Sequence, residues 1–162
     1  MLAAELAQYL RDHIPLSNAM GVAVLKVADD SVTLQAPLAP NINHRHTVFG
    51  GSASALAILA GWALLHVRLR SAGIASRLVI QRNVMEYERP IAGAFTARAA
   101  LEHPHRWQQF TSMLVRKGKA RVTVLAVLED MDQVVGRFSG QFVAFGRAGE
   151  PAITPQADNA DT

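Results

Sequence analysis

The chain of 162 residues contains no cysteine, which excludes a disulfide framework and any thiolate metal site. That composition suits a reducing compartment. The first residues, Met1-Leu-Ala-Ala-Glu-Leu, have no basic stretch leading into an apolar run, so no signal peptide is expected and the expected location is cytoplasmic. Long hydrophobic runs are also missing. Ala53–Leu65 is about thirteen residues, where a bilayer span needs roughly twenty, so the expectation is a buried helix and no membrane partner. Acidic side chains are absent from a long interior stretch: none occurs between Asp30 and Glu86. Six histidines lack a clear i, i+4 pair or nearby acidic ligand, so no metal and no cofactor is expected. The net charge of +3 comes without a long basic run or interleaved aromatics, which argues against a nucleic-acid surface.

Half the residues are apolar, enough for one domain with a sizeable core. Leu2, Leu6, Tyr9 and Leu10 recur at helical spacing and predict a short amphipathic helix over 2–13, ending before Pro15. Gly21–Val27 and Ser31–Ala36 read as strands joined through Asp29-Asp30, and Pro37 and Pro40 predict an extended connection after them. From Gly51 to Ser71 the pattern is helical, with Gly73 as terminator. This helix is apolar nearly all round, so other elements must wrap it on most sides. Leu78–Glu88 and Gly93–Glu102 are strand-like. A short helix follows Pro104, with Trp107, Phe110, Met113 and Leu114 on one face and Gly118 closing it. Lys119–Leu128 and Gln133–Phe145 supply the last pair of strands, and from Ala148 onward the Pro, Asp and Asn content reads as a flexible tail. One antiparallel sheet curled around the long apolar helix satisfies this order, an α+β class.

The segment Asn41-Ile-Asn-His-Arg-His-Thr-Val-Phe-Gly-Gly-Ser52 runs straight into that helix. A helix N-terminus presents unpaired N–H groups and the positive end of a dipole. The paired glycines Gly50 and Gly51 let another molecule approach those donors, and the Asn43 amide can add one more. Together they can hold a developing oxyanion. The plainer reading is a tight loop-to-helix turn that needs glycine.

These residues resemble a known family. The motif Asn43-x-x-x-Thr47-x-Phe49-Gly-Gly-Ser52, the Gly61-Trp62 pair, Val84-Met-Glu-Tyr87-Glu-Arg-Pro90, Trp107 with Phe110, and Gly118-Lys-Ala-Arg121 are similar to the thioesterase family of YiiD C-terminal type. The likeness covers roughly 15–147. It implies a hotdog fold, an antiparallel β-sheet wrapped around a long central helix, as a single domain over 1–147 with a short N-terminal helix, followed by the tail 148–162. It further implies acyl-thioester substrates, on acyl carrier protein or coenzyme A, and a homodimer or dimer of dimers. Asn43 and Gly51 then take the catalytic positions, with His46, Thr47, Phe49, Gly50 and Ser52 around the substrate. The chain departs from the wider hotdog pattern in three places. His46 stands where glycine is usual, Phe49 where histidine is usual, and Ile58 near the position where many hydrolases carry Asp or Glu.

That last departure divides the possible chemistry. Thioester hydrolysis needs a base to activate water, and here only His44, His46, or Glu86 and Glu88 from another chain are on offer. Decarboxylation of a malonyl thioester needs no base, only an oxyanion hole and an apolar pocket. Malonyl-carrier-protein decarboxylation is associated with members resembling this family. Ser52 and Ser54 have no base in sequence context and read as first-turn residues. Arg116, Lys117, Lys119 and Arg121 form the densest basic cluster, fit for coenzyme A phosphates or an acidic carrier protein, or simply for a helix C-terminus. A non-catalytic acyl-thioester binding module remains a further reading.

Overall fold

The computed structural model describes residues 1–146; the expected tail and Arg147 lie outside them. Helix α1 (Ala3–His13) buries Leu6 and Leu10, as its spacing predicts. Pro15 follows the end of that helix, as expected. It sits at the start of a second helix, α2 (Pro15–Ala19), where its missing N–H costs nothing. Strands β1 (Ala23–Val27) and β2 (Ser31–Ala36) follow. The connection after them is not extended: Ala39–Asn41 is a single 3-10 turn with Pro40 in its first positions.

Helix α3 (Gly50–Ser71) is the axis of the molecule. It is long and apolar enough to pass for a membrane span, with a mean hydropathy of 1.4, but the fold buries it. Leu56, Ala57, Ala60, Ala63, Leu64 and Leu65 have no exposed surface. The wrapping is uneven. Ala55, Ile58, Trp62 and His66, three or four residues apart, form a stripe that is only half-buried.

Strands β3 (Arg77–Tyr87), β4 (Phe95–Leu101), β5 (Lys119–Asp130) and β6 (Gln133–Phe145) complete one antiparallel sheet in the order β1-β2-β4-β5-β6-β3. Between β4 and β5 lies α4 (Trp107–Lys117), closed by Gly118 in the left-handed region at φ 71°. Phe110 and Leu114 of α4 are buried with Leu69, Ala120 and Ala144, but Met113 is 37 % exposed and does not share their burial. The sheet curls around α3 with the main core between them. This is the hotdog arrangement that the resemblance implies.

The candidate site at the N-terminus of helix α3

Asn43 organises the loop that delivers the chain into α3. Its Oδ1 accepts from the N–H groups of Arg45 (2.8 Å) and Thr47 (3.2 Å). Its Nδ2 donates to Thr47 Oγ1 at 2.9 Å and, at a long 3.4 Å, to the Val48 carbonyl. The main chain closes the same turn through Asn43 N–H to Thr47 O at 2.8 Å. His46 sits at φ 62°, the left-handed conformation. The slot where the wider pattern has glycine therefore keeps a glycine-like backbone, which histidine tolerates better than most residues.

Phe49 is the N-cap of α3 and offers no side-chain acceptor. Its carbonyl takes the N–H groups of Ser52 (2.9 Å) and Ala53 (3.2 Å), which leaves those of Gly50 and Gly51 without a partner among the described residues. Neither glycine has a positive φ, so their role is spatial. Above Gly51 lies the Phe49 ring; a Cβ placed on Gly50 would lie 3.4 Å from the Tyr87 ring, and the Tyr87 hydroxyl donates to Gly50 O at 3.0 Å. Tyr87 belongs to β3, so the strand and the helix start are tied directly.

Asn41, one turn upstream, is 2 % exposed. It donates to Met20 O at 2.9 Å and Pro37 O at 2.8 Å, and its own carbonyl accepts Phe49 N–H at 2.7 Å. It pins the loop to the body of the fold, a role its sequence position did not reveal.

One turn along α3 from Gly51 a cavity of about 300 Å³ opens between α2, α3 and the sheet. Ala55, Ile58, Leu59 and Trp62 form one wall, Leu16 and Met20 another, and Ile80 and Phe142 the floor. Its one hydroxyl, Ser17, is spent on Leu10 O at 3.0 Å. Ile58, near the position where many hydrolases carry Asp or Glu, is part of this apolar wall. At the far end Trp62 stacks on His66 at 4.8 Å, and Tyr9 packs against His66 at 4.5 Å. His66 Nε2 is buried without a partner. Burial, then Arg70 and His13, lowers its pKa to about 4, so the ring is neutral at pH 7.

The remaining candidates are dispersed. His44, His46, Glu86 and Glu88 are exposed, and Glu88 accepts from Arg137 Nε at 2.8 Å. Ser52 and Ser54 hydroxyls bond to no described histidine or carboxylate. Arg116 and Lys117 sit in the last turn of α4, exposed, and Lys119 Nζ lies 5.2 Å from the Phe145 ring. Arg121 of that basic cluster lines a cavity. Because Ala120 packs with Leu69, the cluster lies near the other end of α3, roughly 27 Å from Gly51 at 1.5 Å per residue.

A family model described as "Putative thioesterase (yiiD_Cterm)" matches residues 3–146. Among solved structures, a protein of unknown function from Chlorobaculum tepidum is 28 % identical, with 90 % of this chain and 94 % of that one covered, at a TM-score of 0.84. A structure from Shewanella oneidensis, described as a putative thioesterase, is 26 % identical over 88 % of this chain and 96 % of that one, at a TM-score of 0.78. A thioesterase from Haemophilus influenzae is 13 % identical over 90 % and 92 %, and its TM-score of 0.74 shows the shared hotdog fold alone. With nearly every described residue inside the match, the chain belongs to the YiiD C-terminal family of putative thioesterases.

Proposed function

We propose that the protein acts on an acyl thioester of acyl carrier protein or coenzyme A, and that it decarboxylates a malonyl thioester to the acetyl thioester. The observation that carries this reading is the cavity beside the α3 N-terminus, which holds neither an acid nor a base. A malonyl carboxylate driven against that wall loses hydration that neutral carbon dioxide does not need. The bond between the α-carbon and the carboxylate breaks, and its electron pair moves onto the thioester oxygen as an enolate. The α-carbon then takes a proton from water, leaving the thioester intact.

The enolate oxygen is met by the free Gly51 N–H and by Asn43 Nδ2. One Asn43 hydrogen stays on Thr47 Oγ1, and the other gives up its long contact to Val48 O for the stronger, charged acceptor. Gly50, Ser52, His46 and Thr47 surround the thioester, and the Phe49 ring shields it from water. The Arg116–Arg121 cluster is too far to meet the phosphate of a thioester held at Gly51 of the same chain. Its members Arg116, Lys117 and Lys119, all exposed, serve the site of a second copy, so the reading includes a homodimer.

A second reading, hydrolysis of an acyl thioester, draws on the cavity's size. From Ala55 to Trp62 it spans about two helical turns, more room than a malonyl group fills and suited to an aliphatic chain. Hydrolysis then takes its base from His44, His46, or Glu86 or Glu88 of a second copy. Mass analysis after incubation with malonyl, acetyl and long-chain thioesters separates the readings. Acetyl thioester and carbon dioxide support decarboxylation; free thiol released in step with substrate loss overturns it in favour of hydrolysis.

A further inference from the structure

Strand β5 outruns its neighbour. The ladder between β4 and β5 ends at Leu101 opposite Val124, and one more bond, Glu102 N–H to Thr123 O at 3.1 Å, marks where β4 leaves the sheet. On its other side β5 stays paired with β6 back to Lys119. The Thr123 carbonyl faces the vacated side, whereas the Gly118 carbonyl faces β6, accepting Gly146 N–H at 3.1 Å. Main-chain groups alternate sides along a strand, so the Arg121 N–H and C=O also face the vacated side. Among the described residues nothing pairs with them.

Helix α4 runs beside this open edge without closing it. The space between is a cavity of about 390 Å³, within the range of small-molecule sites. Phe110, Met113 and Val122 give it an apolar floor, and Arg106 and Arg121 line it. Neither guanidinium has an ion pair among the described residues. The one acid on the lining, Glu102, stands 3.6 Å from His103 Nε2. An exposed strand edge asks for amide partners, two unpaired guanidinium groups ask for a carboxylate or phosphate, and the floor asks for aliphatic carbon.

We infer that this slot is a second ligand site, separate from the α3 N-terminus, which takes an extended amide-bearing chain ending in an anion. The ligand's amides pair with the Arg121 N–H and C=O, and the anion rests on Arg106 and the Arg121 side chain. The inference does not depend on the reaction assigned to α3.

Calorimetric titration of the full chain tests it with four probes: 4′-phosphopantetheine, acetyl-alanyl-alanine, octanoate and inorganic phosphate. At least one of the first two, which combine amides with a phosphate or a carboxylate, should bind tenfold or more tighter than the last two, which lack amides. The better of the pair identifies the anion. Arg106→Gln and Arg121→Gln, both at exposed positions, should each weaken that binding about tenfold. Amide resonances of Arg121 and Thr123 should shift on titration. No binding of either amide probe at millimolar concentration overturns the site, as does equal binding of octanoate or phosphate, or indifference to both substitutions.

Discussion

The Phe49 ring covers the Cα face of Gly51. A methyl group placed on Gly51 would run into Phe49 Cε1 and come within 3.0 Å of Cδ1 and 3.1 Å of Cζ. Phe49 is 59 % exposed and has room to swing away. Gly51→Ala should therefore fold, with a Tm near that of the wild type, since Gly51 lies in the first turn of α3. Turnover should nevertheless fall tenfold or more, because the displaced ring and the new methyl group occupy the thioester position. Thermal melting beside steady-state kinetics checks both halves, and wild-type turnover in Gly51→Ala would remove that position from the site.

Asn43→Ala should lower turnover about a hundredfold with the fold intact, the scale for losing one oxyanion donor. Thr47→Val is the control that the hydrogen bonds single out, since it removes the internal acceptor and leaves the Asn43 amide free. If Asn43 acts on substrate, Thr47→Val should cost much less than Asn43→Ala. Equal losses would make Asn43 a positioning residue for the loop. Asn41 is no neutral comparison: Asn41→Ala breaks one buried and one part-buried hydrogen bond and should cost about 2 kcal/mol of stability.

Acid should destabilise the protein through His66. Its pKa in the fold, about 4, lies below the unfolded value of 6.5, so the unfolded chain binds the proton first. The stability this group contributes is complete above pH 6.5 and is lost as pH falls toward 4. Discounted for the solvent that still reaches the ring, the loss is on the order of 1–2 kcal/mol, several degrees in Tm. His66→Phe, which keeps the stack with Tyr9 and Trp62, should flatten the Tm profile over that interval. An unchanged profile would place the acid sensitivity elsewhere.

The sheet ends in an open edge at β3, eleven residues that pair only with β6, with Val79 and Val84 about half exposed. Long uncovered edges of this kind associate. Light scattering at micromolar concentration should give twice the chain mass, and a fully active monomer would overturn the shared-site reading.

Much of this fold was legible in the chain because strong local signals carried it. The apolar run after Gly50 and the glycine at 73 define α3, and the residues around Asp29-Asp30 and Met131-Asp132 define two hairpins. Pro15 marked the end of α1 correctly, but the helix that it opens was not legible, since the same missing N–H that ends one helix suits the first turn of the next. Pro40 likewise opened a 3-10 turn rather than extending the chain. The α3 N-terminus was legible from its glycines. The bonds between Asn43 and Thr47 were not, because they depend on how the loop closes. Nor was the role of Asn41 or Arg106, for each is set by elements distant in sequence. Met113 followed the helical period of its neighbours, but α4 presents it to the slot beside β5 rather than to the core.

The strand order carries a consequence for synthesis. β3 follows α3 in the chain yet pairs only with β6, the last strand, so 45 residues (88–132) separate the end of one from the start of the other. A ribosome delivering this chain releases β3 well before the strand that pairs with it exists. The unpaired strand must wait, held by α3 and whatever chaperone meets it, until Gln133–Phe145 has left the exit tunnel. Contacts this remote in sequence form late and slowly. Interruptions of translation before β6 should therefore yield fragments that aggregate rather than shortened proteins that fold.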